Sequence, residues 1–536
     1  MSSTLRQPCH EGFIGSTRTE APCARKAGPW VLAATILGSS MAFIDETSVT
    51  VALPAVQDGL DATVVGAQWV VEAYTLLLAA LVLVGGSLGD HLGRRRMFAS
   101  GVVLFALASV WCGLAPDPGQ LIAARAVQGI GGALLVPNSL AIIGTSFAEE
   151  RRGKAIGTWA GFTGLTMVLG PVLGGYLAQN FSWRGVFFIN VPLAVAVLAI
   201  TALHVPESRD AVARGLDLPG AALAAVGLGG TVFGLLESSR EGFGGPVVAG
   251  SLAGGMAALV AFVLVEGRVG EPMVPLSLFR VRNFAGSNVF TLLLYFALSG
   301  TLFFLPFNLI QAQGYSATAA GAAVAPVVVI MFLLSRYTGN LADRFGSRVP
   351  LVTGSLVSAA GFVLFAVAGL GAPYWSTFFP AAVALGVGLA ILVPALTTVA
   401  LNSVEVRHSG LASAINNSFS QIAGLLAVAV LGVVMFAGFG ASLDERLDDL
   451  HLPPEARRQL EDEKLALGAA EAPGGLDAGS RAAVDRAIDE ALVSGYRVVM
   501  LVATAMALAS AVGAALLVDG RKKPEEQPEE SKPLAA

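Results

Sequence analysis

Charged residues are scarce in this sequence. Asp, Glu, Lys and Arg make up only 13% of its 536 residues, whereas they make up about 25% of a typical soluble domain. The scarcity excludes an ordinary soluble protein, and the small net charge of −5 argues against a nucleic-acid partner. Apolar residues make up 54% of the chain and give it a mean hydropathy of +0.70. The composition therefore indicates a protein of the lipid bilayer.

Residues that build covalent, metal or catalytic sites are scarce too. The three cysteines, Cys9, Cys23 and Cys112, give neither a disulfide framework nor a metal-binding spacing. The sequence contains no GxxxxGK[ST] phosphate-binding loop and no HExxH, and its five histidines are scattered. We therefore expect no ATP hydrolysis, no enzyme activity, no cofactor and no metal.

Apolar stretches of about 20 residues, the length that crosses a bilayer as a helix, occur fourteen times. A spanning segment must bond its own backbone polar groups, so the sequence predicts an all-α integral membrane protein with 14 transmembrane helices. The first stretch is too long for a signal sequence and contains acids, so we interpret it as an uncleaved span. The predicted spans are 30–53, 66–88, 97–115, 120–145, 154–178, 185–204, 217–237, 246–266, 284–311, 317–342, 349–370, 374–401, 409–437 and 495–518.

Lys and Arg residues between the spans predict the orientation. With the N-terminus in the cytoplasm, the short internal loops contain fourteen of them and the short external loops contain two, as the positive-inside rule requires. Residues 1–29 and 519–536 are then cytoplasmic tails of a multi-pass cell-membrane protein. The high alanine and glycine content favours a bacterial source. The internal residues are Arg94, Arg95, Arg96, Arg151, Arg152, Lys154, Arg209, Arg214, Arg268, Arg280, Arg282, Arg344, Arg348 and Arg407, and the external ones are Arg184 and Arg240.

The last external loop, 438–494, is long and acidic. We interpret it as a helical cap on the outer mouth. The alternative, a ligand-capturing domain, has no residue to support it. The helical patterns are one across 454–467 and one formed by Val484, Ile488, Ala491, Leu492 and Gly495.

The chain also contains an internal repeat. GSLGDHLGRRR at 86–96 returns as GNLADRFGSR at 339–348, offset by 253 residues, and ALLVP at 133–137 returns as AILVP at 390–394, offset by 257. Eight predicted helices separate the copies, and an even separation means parallel halves with the substrate site between them. The predicted organisation is an N-terminal six-helix half at 30–204, two extra helices at 217–266 and a C-terminal six-helix half at 284–518.

Ionisable residues inside the spans are candidates for proton coupling, because charge is costly in lipid. Asp45 lies about 22 Å from the start of span one at 1.5 Å per residue, and Arg125 and Glu72 lie at a similar depth. We expect an Asp45–Arg125 pair in which Asp45 titrates; the alternative is a static structural pair. Glu46 points about 100° away, towards a cavity or a neighbouring helix. Glu72 either takes part in coupling or extends to the outer surface.

The first copy of the repeated loop is dense in charge and glycine. Gly86 and Gly93 permit a tight turn, and Asp90 can form and break ion pairs with Arg94 and Arg95 as the halves move. The second copy retains an acid among arginines, at Asp343 and Arg348. The pattern predicts a conformational latch, and an ordinary topological anchor is the alternative.

Span five combines glycines with a proline. Gly161, Gly170, Gly174 and Gly175 flank or precede Pro171 in a pattern with small-xxx-small spacing and a kink. This pattern favours a helix at the seam between the halves, and a generic packing helix is the alternative.

Uncharged polar residues in the spans either line a substrate cavity or bond neighbouring helices. Asn417 and Gln421 share one helix face at a spacing of four residues. For each residue taken singly, an interhelical hydrogen bond is the simpler interpretation. The candidates are Thr50, Asn288, Asn308, Asn416, Asn417 and Gln421.

Four motifs resemble those of the major facilitator superfamily, in that family's order. DHLGRRR at 90–96 resembles its loop between helices two and three, and LIAARAVQGIGG at 121–132 resembles its span-four motif. GFTGLTMVLGPVLGG at 161–175 resembles the antiporter motif of drug exporters. FIDETSVTVALP at 43–54 resembles the span-one motif of the fourteen-span drug:proton antiporter family. The resemblance covers essentially the whole chain.

The resemblance implies a proton-driven exporter of small hydrophobic or cationic compounds. It implies a titrating Asp45, a coupling role for Arg125, a latch at Asp90 and Arg94, and an export kink at Gly170–Pro171. Thr50 stands where the family usually has Asn, so the capacity for a substrate contact there is smaller. Ser347 of the second loop copy stands where the first copy has Arg94, which implies a weaker second latch.

The expected partners are protons, a small-molecule substrate and the lipid bilayer, and the chain is expected to be a monomer. One alternative function is dedicated export of one metabolite or self-made antibiotic. A different class of function is a membrane sensor that has lost transport.

Overall fold

The computed structural model describes residues 27–209, 217–270, 272–338, 341–403, 409–450, 452–463 and 476–519. The regular elements of these ranges are all helical. The α-helices are α1 (Gly28–Leu60), α2 (Val64–Leu92), α3 (Arg94–Leu114), α4 (Pro118–Ser146), α5 (Glu149–Asn180), α6 (Gly185–Phe188), α7 (Asn190–His204), α8 (Leu218–Glu241), α9 (Pro246–Glu266), α10 (Arg282–Phe307), α11 (Ala317–Thr338), α12 (Leu341–Phe345), α13 (Arg348–Ala366), α14 (Phe379–Asn402), α15 (Ser409–Asp449), α16 (Pro454–Glu463) and α17 (Ala478–Leu517). A 3₁₀-helix (Leu276–Arg280) and two π-helices (Asn308–Ala312 and Tyr374–Phe378) complete the set.

Fourteen helical segments in the described ranges are long and apolar enough to cross a membrane. The helices α6 and α7 are separated by one residue and count together as the sixth. Helices α12 and α16 are too short to span. The prediction of an all-α membrane protein with 14 spans is confirmed.

Several helix ends follow local sequence signals. Thr63 caps α2 by accepting a hydrogen bond from the Gly66 amide at 3.1 Å, and Asp117 caps α4 through the Gln120 amide at 2.9 Å. Such caps satisfy amides that have no partner within the helix. The ends of α15 and α17 differ from the hydropathy prediction, since α15 continues to Asp449 and α17 begins at Ala478. Hydropathy detects only the apolar part of a helix, and here both helices continue past it.

Helix packing is the same in two parts of the chain. Helix α1 packs on α5 and α7, α4 packs on α2 and α3, and α3 packs on α7. In the same order, α10 packs on α15 and α17, α14 packs on α11 and α13, and α13 packs on α17. The repeat seen in the sequence is therefore also a repeat of packing, although the domain boundaries predicted from the sequence stay predictions.

Two seams join these parts: α5 packs on α11, and α2 packs on α15. We call them the α5–α11 seam and the α2–α15 seam. Helix α8 packs on α9 and also covers both α2 and α15. Only the α2–α15 seam therefore has an extra helix against it in the described part of the chain.

The seam contacts lie towards one end of the bundle. We call the end where α1 begins and α17 finishes the chain-end side, and the opposite end the α16 side. Gln179 accepts a 2.7 Å hydrogen bond from the Thr318 hydroxyl, and Gln68 lies against Gly432, all on the α16 side. One apolar cluster there contains Val49 and Leu53 of α1 with Phe303 and Phe304 of α10, among others. The two parts are thus packed together at the α16 side.

Candidate functional site

An ion pair lies in the middle of the first six-span part. Asp45 and Arg125 have 0% exposed side-chain area, and Nη1 of Arg125 donates to Oδ2 of Asp45. The pairing predicted from their depth is present. A fully buried charge pair holds its geometry only when further hydrogen bonds satisfy the remaining lone pairs and protons.

Those further bonds come from three neutral polar residues. Gln128 donates to Oδ1 of Asp45 at 2.9 Å and accepts from Arg125 at 2.7 Å, so it touches both charges. Asn190 donates to the same Oδ1 at 2.8 Å. The hydroxyl of Ser109 accepts from Gln128 at 2.9 Å. Residues of α4 and α7 thereby bond the carboxylate of α1 directly, and Ser109 of α3 bonds the two amides that donate to it.

The guanidinium of Arg125 is also held by α2. Its Nε donates to the backbone oxygen of Val70 at 2.9 Å, and its Cζ lies 4.4 Å from the ring centre of Tyr74 and 5.9 Å from that of Phe187. A cation over an aromatic face is stabilised by the ring quadrupole. One guanidinium nitrogen, Nη2, has no hydrogen-bond partner in the described structure. Arg125 therefore retains a donor for a further hydrogen-bond acceptor.

Sequence reasoning identified the two charges and missed the residues that hold them. Gln128 had a usable signal, because it lies three residues after Arg125 on the same helix face. Asn190 and Ser109 had none, since a lone Asn or Ser in a span is more often a local helix bond. Only folding brings them to Asp45.

Glu46 lies next to Asp45 in sequence but outside this network. Its side chain is half-buried, and no described residue forms a hydrogen bond or ion pair with its carboxylate. Thr50, one turn further, donates to the Glu46 backbone oxygen at 3.0 Å. Its hydroxyl is thus used within α1.

Glu72 is buried within the helix bundle. Its side chain is 1% exposed, and neither carboxylate oxygen has a hydrogen-bond partner in the described structure. It therefore does not extend to the surface. Val70 and Tyr74 of the same helix contact Arg125. Glu72 is two residues from each of them, and two residues correspond to a rotation of about 200° around the helix axis.

The first loop copy is held inside its own half. Arg94 donates to Asp90 at 2.7 Å, and Gly93 adopts φ +112°, a conformation that disfavours a side chain. Glu207, which sequence reasoning missed, accepts from the Arg95 amide at 3.1 Å at the start of α3 and lies 3.7 Å from Arg96. A carboxylate there complements the helix dipole.

The second copy repeats part of this arrangement. Nη2 of Arg95 donates to Ala202 O at 3.1 Å, two residues before the end of α7. Arg348, which corresponds to Arg95, likewise donates to Ala515 O, two residues before the end of α17. A cation at a helix C-terminus is favourable. The side chain of Asp343 lies outside the described structure, and Gly86 packs beside Pro137 of α4.

Helix α5 contacts α1 through one face and α11 through another. Ser48 of α1 donates to Gly170 O at 2.7 Å, and a Cβ on Gly174 would lie 2.6 Å from Ser48 Cα. Gly175 approaches the backbone of Ala317 and Thr318, and Pro171 approaches Gly321. By contrast, a Cβ on Gly161 would meet only Phe332, at 3.7 Å.

Two of the polar candidates of the second half, Asn416 and Asn288, bond one helix to another. Asn416 of α15 donates to Thr291 at 2.7 Å and to Asn288 at 3.4 Å, which joins α15 to α10, whereas Asn288 itself donates to Phe284 O at 2.8 Å within α10. Asn308 is buried in a π-helix with no partner for its amide in the described structure. Asn417 is exposed and Gln421 is half-buried on α15.

A family profile described as Major Facilitator Superfamily matches residues 35–428. The chain belongs to the major facilitator superfamily. The resemblance drawn from its motifs is confirmed, and the fourteen helices and paired six-span packing described above are those of a superfamily transporter.

Curated relatives of this superfamily transporter extend over most of its length. The tetracenomycin C resistance and export protein of Streptomyces glaucescens is 32% identical over 536 residues, covering 98% of each chain. The multidrug resistance protein Stp of Mycobacterium tuberculosis is 33% identical over 436 residues, covering 80% of each.

Solved structures agree with the fold. A bacterial homolog of the human lysosomal transporter Spinster, in an inward-facing and occupied conformation, superposes with a TM-score of 0.62. It is 18% identical, and the match covers 92% of this chain and 97% of that one. At this identity the likeness concerns the fold alone.

Proposed function

We propose that this transporter exports small hydrophobic or cationic compounds in exchange for protons that move inward, and that Asp45 carries the proton. The observation that carries the proposal is the fully buried Asp45–Arg125 pair with its neutral donors. The relatives named for resistance and export support the choice of substrate class. The protein acts as a transporter without catalysis and as a monomer.

The pair suits proton exchange because the charged and the protonated forms of Asp45 favour different arrangements of the helices. With Asp45 charged, Arg125, Gln128 and Asn190 all donate to it. With Asp45 protonated, Arg125 loses its counter-charge, and an uncompensated buried charge costs about 3–5 kcal/mol. A movement of α1 relative to α4 that admits water or substrate to Arg125 relieves that cost. Protonation is thereby linked to conformation.

The chain-end side is the cytoplasmic side in this proposal, because the arginines of the short loops collect there. The α16 side is then external, and the structure has its two halves packed together on that side. The proposed location is a bacterial cytoplasmic membrane with both termini inside. The latch at Asp90 and Arg94, now paired with each other, engages the other half only when the cytoplasmic side closes.

A dedicated exporter of one self-made antibiotic is the second candidate. It is favoured by the full-length similarity to an antibiotic resistance and export protein. The two candidates differ in breadth of substrate and share the same proton chemistry.

A growth-inhibition panel with and without the chain tests the proposal. Broad efflux predicts protection against several unrelated apolar or cationic compounds, which a protonophore abolishes. Protection against one compound class supports the dedicated exporter. Protection that persists when the proton gradient is collapsed contradicts proton-driven export.

A further inference from the structure

Glu72 is an isolated acid in a dry part of the molecule. It is 1% exposed, and both carboxylate oxygens lack a hydrogen-bond partner among the described residues. Asp45, by contrast, accepts three hydrogen bonds. A charged carboxylate without a partner in apolar surroundings costs several kcal/mol.

The surroundings of Glu72 follow from its neighbours one helical turn away. Gln68, four residues before it, lies against Gly432 of α15. Leu76, four residues after it, belongs to a cluster with Leu228 of α8 and Leu425 of α15. Glu72 is between these two on the same face of α2. It therefore lies in the α2–α15 seam, beneath α8.

No charge on the packed helices faces Glu72. Helix α15 has no ionisable residue from Ser409 to Leu443, and α8 has none from Leu218 to Leu236. Glu237 of α8 follows Leu236, towards the α16 side of Glu72, and has interactions of its own. On α4, Arg125 binds the opposite face of α2. The seam thus offers nothing that would stabilise a carboxylate.

We infer that Glu72 is a second proton site, which must be protonated for the α2–α15 seam to close and which exchanges its proton with external water when the seam opens. Closing the seam over the neutral acid avoids the desolvation of a charge, whereas closing it over the carboxylate does not. The inference rests on the proposed alternation between seam-closed and seam-open states. Because Glu72 has no route to the cytoplasmic side in the closed seam, it senses external acidity and does not carry the transported proton.

The linkage between proton binding at Glu72 and closure of the α2–α15 seam sets the size of the pH effect. One proton bound only in the closed form changes the open-to-closed ratio by up to about tenfold per pH unit. Opening is favoured at high pH, where the exposed carboxylate is charged. Glutamine at position 72 cannot gain that charge, so the Glu72→Gln protein should stay closed as pH rises.

Spin labels across the outer side of the seam test this directly. Asp61 and Ala441 are exposed there, one in each half, and both become cysteine in a full-length protein whose native cysteines are replaced. Distances are measured by pulsed electron paramagnetic resonance over a pH series. An Asp45→Asn background removes the contribution of Asp45. We expect the open fraction to rise with pH in that background and to lose its pH response when Glu72→Gln is added.

A Glu72→Leu protein provides a second reading if the glutamine variant is poorly folded, and it too should stay closed. An equal pH response with and without Glu72 would overturn the inference. If Asp45→Asn retains proton movement while Glu72→Gln loses the pH response, the proposed function fails and this inference stands.

Discussion

The two six-span parts have the same helix packing and very different interiors. In the first, Asp45 and Arg125 are buried with a set of hydrogen-bond donors. Counted forward by the 257-residue offset of the repeat, Arg125 corresponds to Ala382 and Gln128 to Leu385, both buried and apolar. One scaffold therefore surrounds a charged centre in one copy and an apolar core in the other.

This difference shows that the packing does not need the charges. The second half keeps its helices together with apolar contacts and neutral bonds such as Asn416–Thr291. A buried ion pair is weak evidence for stability, since an apolar pair of similar volume is often at least as stable. We therefore interpret the charges of the first half as serving transport.

Removal of Arg125 from the charged first half should have the largest effect on stability and transport. In Arg125→Ala, Asp45 is left as an unpaired buried carboxylate, so we expect stability to fall by about 3–5 kcal/mol and transport to be lost. Thermal unfolding of the purified protein measures the first effect. The Asp45→Asn/Arg125→Ala double variant has no orphaned charge and should recover most of the stability but no transport. A double variant less stable than Arg125→Ala would contradict this account.

A larger side chain at the α5–α11 seam should have the next largest effect on transport. Gly175 lies against the backbone of Ala317 and Thr318, so Gly175→Leu should hold the halves apart and lower transport at least tenfold. Gly164→Leu is the matched control on the same helix, because a Cβ there meets nothing within 4 Å. Transport of a reference compound is compared at equal membrane expression. Equal transport by both variants would show that the close contact is unimportant.

The repeated arginine contacts should respond alike in the two halves. Arg95→Ala and Arg348→Ala each remove a cation from the last turn of a helix, at Ala202 and Ala515. Both contacts are solvent-exposed, so each change should cost less than about 1 kcal/mol. Unfolding temperatures compare them. A large loss of transport in one variant alone would assign a latch role to that copy.

Neutral amides should give the smallest and most selective effects. Asn416→Ala removes the interhelical bonds to Thr291 and Asn288 and should cost about 1 kcal/mol with transport retained. Asn190→Ala removes a bond of the same type but from Asp45, so it should alter the pH dependence of transport at a similar cost in stability. Initial transport rates across a pH series separate the two. Matching pH profiles would contradict the special role of the Asp45 network.

Much of the fold was accessible from the sequence because lipid imposes simple rules. Span length, loop charge and the 253-residue repeat predicted the helices, and depth along the spans predicted that Asp45 meets Arg125. Hydropathy could not locate the ends of α15 and α17, since a helix can leave the membrane without ending.

The supporting residues were less accessible. Asn190 and Glu207 acquire their roles only through contacts with residues more than a hundred positions away. Glu72 lies at a depth in the membrane similar to that of Asp45 and Arg125. It nevertheless lies on a different face of α2 from the one that Arg125 contacts, and so has different neighbours. Depth follows from counting residues, but the partner of a side chain depends on which helices pack together.

Proton movement through Asp45 tests the central claim most directly. Membrane vesicles loaded with a pH-sensitive dye are challenged with a transported compound, using the wild type, Asp45→Asn and the control Asp61→Asn. Asp61 is an exposed acid at the end of the same helix, in a left-handed conformation that Asn tolerates. The account predicts proton movement in the wild type and in Asp61→Asn, and none in Asp45→Asn, which should still insert and fold. Full substrate-driven proton movement in Asp45→Asn would contradict it, and would place the carrier at Glu46, the half-buried acid beside it.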